Sequence, residues 1–86
     1  MQDFQIADTF GKSAIQNTFN RVWKEWKDNY IYLTELVIAL NWGMWRWYDK
    51  NEDIALLYQN LWNKAREYAM DNLKDEEFTY YFNATD

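Results

Sequence analysis

The chain contains no cysteine, no histidine and no proline, and only two glycines among its 86 residues. Without cysteine there are no disulfides, and without cysteine and histidine the usual thiolate and imidazole metal ligands are missing. The commonest general base and the strongest nucleophile go with them, and so do the Glu-x-x-His motifs of di-iron bundles. Glycine-rich phosphate loops and nucleophile elbows are absent. The carboxylate pairs Glu52-Asp53 and Glu76-Glu77 are adjacent, so on a helix they point apart instead of converging on a metal. These absences predict a non-enzymatic chain with no catalytic residue, no cofactor and no metal. Too few turn residues remain for an all-β chain, which argues for helices. No apolar run approaches the roughly 18 residues of a membrane span. The start, MQDFQIAD, lacks the basic and apolar regions of a secretion signal, so a cytoplasmic setting is expected.

What the chain does have is aromatic mass: six Trp, seven Tyr and five Phe. Each can bury on the order of 150–250 Å², which lets one small domain build a core near the lower size limit for unaided stability. The formal charge is −5, a sign that repels phosphate backbones and argues against general nucleic-acid binding. Residues 12–27 carry a net +3 and residues 71–86 a net −4. Both read most simply as solvated faces.

The organising stretch is Leu33 to Tyr48, LTELVIALNWGMWRWY. Leu33, Leu36, Val37, Leu40, Met44, Trp47 and Tyr48 recur at helical spacing, while Ile38, Trp42 and Trp45 lie well round from that stripe. A helix apolar over most of its circumference needs cover on several sides. The spacing predicts an all-α, three-helix antiparallel bundle: a lead-in arm over 1–12, helices over 13–28, 34–49 and 51–74, and an aromatic, acidic tail over 75–86. Phe4, Ile6, Ala7 and Phe10 could pack as a short helical arm that Gly11 interrupts, so the lead-in is expected to be extended or partly helical and pinned by Phe10. Ser13 and Gln16 read as a capping box opening the first helix, whose stripe is Ile15, Phe19, Val22, Trp23 and Trp26. Thr34 reads as the cap of the second helix, with Leu33 and Ile38 as a hydrophobic staple. Gly43 inside it costs about 1 kcal/mol against Ala and predicts close approach of a backbone or a large side chain. Asn51 caps the third helix, with Ile54, Leu57, Tyr58, Leu61, Ala65, Tyr68 and Ala69 inward. A connection of a few residues makes it antiparallel to the second. The stretch Phe78 to Phe82 reads as a short helical turn, a strand or an ordered tail.

Trp23, Trp26, Trp47 and Tyr58 fall on core stripes. Trp42 and Trp45 do not. Either that side packs on the first helix or the arm, or it is an exposed patch with Arg46 beside it. Trp and Arg are enriched at interface hot spots, and exposed apolar patches mark contact surfaces. Trp42, Trp45 and Arg46 are therefore the candidate partner-binding residues, with Glu76 and Glu77 of the tail as a secondary acidic surface. Leu56 and Met70, on the outer side of the third helix, point the same way. The expected partner is a protein, either a different one or a second copy forming a homodimer. Nucleic-acid mimicry by the carboxylates is a minor variant. The alternative is a small-ligand or nucleotide site in which aromatic faces stack on a base, with Arg21, Lys24, Lys27 or Arg46 on the phosphate.

The run Thr34-Glu35-Leu36-Val37, then Leu40-Asn41, Trp45, Tyr48, Asn51-Glu52, Leu57-Tyr58 and Ala84-Thr85-Asp86 resembles a group of small uncharacterised proteins of phages and mobile elements in gut and related bacteria. The resemblance spans about residues 32–86, is a loose spacing of Leu, Asn, Trp and Tyr, and carries no catalytic signature. It implies an accessory or host-interaction protein, such as an inhibitor of a bacterial defence system, and assigns no site residue.

Overall fold

The computed structural model describes residues 3–72, and these form helices joined by short turns. Among the described residues there are four helices where three are expected: α1 (Asp3–Ala7), α2 (Lys12–Trp26), α3 (Tyr30–Trp47) and α4 (Glu52–Asn72). The short connection between α3 and α4 turns the chain back on itself, and this antiparallel pair frames the fold. α2 packs on both, and α1 bridges α2 and α3.

One core runs through all four helices. Ile15, Phe19 and Val22 of α2 meet Leu33, Leu36, Val37 and Leu40 of α3, with Ile54, Tyr58, Leu61, Ala65 and Ala69 of α4 opposite. These are the stripes that helical spacing predicts. Trp23, Trp26, Trp47 and Trp62 pack against the core with part of each side chain exposed. Tyr48, expected on the α3 stripe, is 68% exposed. It is the residue just past the last helical turn, where the chain has already begun to leave the core.

The lead-in is helical, one of the two forms expected of it, but Phe10 does not pin it. It is a short helix of its own, held by Phe4 and Ala7, while Phe10 is 78% exposed. The difference arises at Gly11, whose φ of 111° puts a sharp turn after Phe10. A left-handed backbone of that kind is easy only for glycine. Phe10 thus belongs to the turn, and Phe4, one helical turn before Asp8, faces inward. Gly11 is also the N-cap of α2, with no side-chain cap bond. Ser13 therefore lies inside the helix, and the capping box does not form.

Asn29 likewise opens a helix instead of closing one. Its side chain accepts from the amides of Ile31 and Tyr32 at 3.1 and 3.3 Å. α3 thus begins at Tyr30, a full turn before Thr34, and neither the Thr34 cap nor the Leu33–Ile38 staple marks its start. Asn51 does cap α4, accepting from the amide of Ile54 at 3.3 Å. The expectations for the last two residues of the third helix, for Phe78 to Phe82 and for Glu76 and Glu77 lie outside the described residues.

Gly43 is a point of close approach between α3 and α4. A Cβ built there would lie 2.7–2.8 Å from three ring carbons of Tyr58. The large side chain that Gly43 makes room for is thus the phenol ring of α4, itself fully buried. Phe4 meets the same ring edge-on, with centroids 6.0 Å apart.

Candidate partner-binding surface

Asp8, at 5% exposure, is the one buried polar or charged residue among those described. A carboxylate so enclosed needs donors, because desolvation is costly unless its lone pairs are filled. Its Oδ2 accepts from Arg46 Nη2, from Trp47 Nε1 at 2.9 Å and from Tyr58 Oη at 3.0 Å. The Tyr58 hydroxyl also lies 3.2 Å from the carbonyl oxygen of Phe4, so its single proton is shared between two acceptors. Burial, and then the adjacent Asp8 charge, push the Tyr58 phenol well above its ordinary 10.0. Asp8 therefore ties the end of α1 to α3 and α4 at a single atom. Nothing local in the sequence marks it, since its partners lie 38 to 50 residues away.

Arg46 is consequently not a free cation beside two indoles. It is half-buried and ion-paired to Asp8, and that pair fixes where its guanidinium sits. Five N–H donors in a planar fork leave capacity beyond the one carboxylate oxygen. Arg21 is paired with Asp3 at 3.1 Å. Of the four candidate cations for a phosphate, two are thus already matched to carboxylates. Lys64 is engaged elsewhere, its ammonium 5.6 and 5.7 Å from the ring centroids of Phe19 and Trp23.

Trp42 and Trp45 are exposed, at 68% and 60%. The structure separates them into two grooves on either flank of α3's outer face. Trp45 lines a groove of about 590 Å³ between the end of α3 and the start of α4, with Met44, Tyr48, Ala55 and Leu56. Glu52 and Gln59 complete its wall. Here the Trp45 and Tyr48 rings lie 5.7 Å apart at 48°, and Leu56 is exposed. Trp42 lines a second groove of about 420 Å³ between α1 and α3, with Phe4, Gln5, Glu35, Ile38, Ala39 and Arg46. Tyr48 is the contact candidate that spacing alone assigns to the core. Its position at the helix end, two residues from Lys50 and the turn, is the signal in the sequence that points outward.

Among the described residues no group of three or more acidic side chains could hold a metal ion, and no helix is long and apolar enough to cross a membrane. No protein-family model, curated protein or solved structure matches the chain.

Proposed function

We propose that this chain is a non-enzymatic protein-binding module whose partner lays a basic, amphipathic segment into the groove between α3 and α4. The observation that carries the proposal is the exposure of Trp45, Tyr48 and Leu56 beside a core that closes without them. A clustered apolar surface of this kind is uncommon on a monomer unless something docks there, and aromatic side chains supply much of the energy at such contacts. The neighbouring charges select the chemistry of the partner. Glu52 lines the groove, and Asp49 and Asp53 are exposed close by in the chain, with Lys50 between them as the opposing charge. A segment whose apolar face is flanked by lysine or arginine complements both features.

A short synthetic helix with leucine on one face and lysine on the other is a suitable probe. It is expected to shift the tryptophan emission to the blue, less so as salt rises. The Trp45→Ala/Leu56→Ala double variant is expected to lose that response with an unchanged melting temperature. A Leu/Glu helix of the same pattern is expected to give none. No response to the Leu/Lys helix contradicts the proposal. Adenine nucleotides are expected to leave the emission unaltered, because the net charge of −5 and the acids Asp49, Glu52 and Asp53 at the groove repel phosphate.

The narrower reading, an accessory protein of a phage or mobile element that occludes a host-defence protein, rests on the Leu, Asn, Trp and Tyr spacing alone. Its test is a bacterial strain protected by a defence system. Expression of this chain, and not of its Trp45→Ala/Leu56→Ala variant, is expected to restore phage growth.

A further inference from the structure

The second groove, beside Trp42, lies outside that docking site, and its pattern is self-complementary. Four of its α3 residues decide this: Glu35, Ala39, Trp42 and Arg46. They stand at successive steps of four, three and four, and so share one helix face. The row carries an acid at one end, a base at the other, and a small and a large residue between them. Glu35 and Arg46 are equidistant from the point midway between Leu40 and Asn41, and so are Ala39 and Trp42. A two-fold axis through that point, perpendicular to α3, sets two copies of the helix antiparallel. Glu35 then lies across from Arg46 of the second copy, and Ala39 across from Trp42, each pairing occurring twice.

We infer that this chain forms a symmetric antiparallel homodimer through the α1–α3 groove, with each Trp42 seated over Ala39 of the other copy. Three observations on the monomer support it. Trp42 is the large, exposed residue in need of a site. Ala39 is a small residue lining an open groove of about 420 Å³, walled on one side by Phe4 and Gln5 of α1. Arg46 is held in place by Asp8, so its remaining donors meet Glu35 of the second copy with little ordering cost. Trp42, 68% exposed, and the part-buried Ile38 and Ala39 supply the apolar surface a second copy would cover, a contact smaller than a standard specific interface. The dimer is accordingly weak and forms in the micromolar to sub-millimolar range.

Sedimentation of the full chain across that range tests it. The weight-average mass is expected to rise from one chain to two with concentration. Glu35→Lys sets like charges against each other twice and is expected to weaken association by about tenfold or more, and Trp42→Ala by at least as much. Both residues are exposed on α3, so helical circular dichroism is expected to be retained in each variant. The Trp45→Ala/Leu56→Ala variant, altered only in the other groove, is expected to dimerise normally, which separates this inference from the heterologous docking site. A mass of one chain throughout overturns the inference. So does a dimer that Glu35→Lys and Trp42→Ala leave unchanged, since it would use another face.

Discussion

Asp8 is the residue through which the shortest helix is held. Its one oxygen receives an arginine, an indole and a phenol from two other helices, and the phenol is the member whose chemistry can be tracked by pH. The Tyr58 hydroxyl is raised above 10.0 in the folded chain, first by burial and then by the Asp8 carboxylate. Below pH 10 both folded and unfolded states keep the proton, and this group adds no pH dependence. Above pH 10 the unfolded phenol ionises while the folded one does not, so stability falls with a slope approaching about 1.4 kcal/mol per pH unit. Tyr68, raised by its hydrogen bond to Asp28, acts in the same direction. Urea midpoints between pH 9 and 11 are therefore expected to fall more steeply for the natural chain than for Tyr58→Phe. Parallel falls would mean that Tyr58 ionises in the folded state as readily as in the unfolded one.

At the scale of the helices, α3 and α4 are locked where Gly43 admits the Tyr58 ring. Gly43→Ala gains about 1 kcal/mol in helix propensity, but its Cβ would meet ring carbons at 2.7–2.8 Å. That ring is fully buried and tied by its hydroxyl to Asp8 and Phe4, so it has nowhere to move. Overpacking of this kind costs about 1–3 kcal/mol or more, and the variant is expected to melt several degrees lower. A higher melting temperature would show that the ring yields.

The inward faces of the three long helices are legible in the sequence because a period of 3.6 is a local property. Ile15, Phe19 and Val22, Leu33 through Leu40, and Ile54 through Ala69 all contribute core residues where spacing puts them. The starts of α2 and α3 are not legible in the same way. Gly11 and Asn29 are residue types that end helices as readily as they begin them, and here each caps the helix after it. α1 is legible only in part, because the spacing of Phe4, Ile6, Ala7 and Phe10 allows a helical or an extended arm alike. Five residues have no helical stability of their own, and what orders them is Phe4 in the core and Asp8 among side chains from α3 and α4. Of the candidate surface, the outward position of Trp42 and Trp45 can be read from the angle they subtend on the helix. Their division between two grooves cannot, since it depends on where α1 and α4 lie.

For the whole molecule, α3 has more apolar circumference than α1, α2 and α4 cover among the described residues. Its inner stripe is enclosed, and its outer face leaves Trp42 above one groove and Trp45 above another. Pairing two copies through the Trp42 groove would leave two acidic, aromatic Trp45 grooves open on one particle, so that a partner presenting two basic segments gains avidity without any new contact. On this account Trp45 marks a docking surface and is not a stray exposed side chain. The most direct test is a nitrogen-15 spectrum of the six tryptophan indole N–H groups, recorded while the Leu/Lys helix is added. Trp45 is expected to shift progressively while Trp23, Trp26, Trp47 and Trp62, packed against the core, stay in place. An unmoved Trp45, or a shift confined to the packed indoles, would contradict the account.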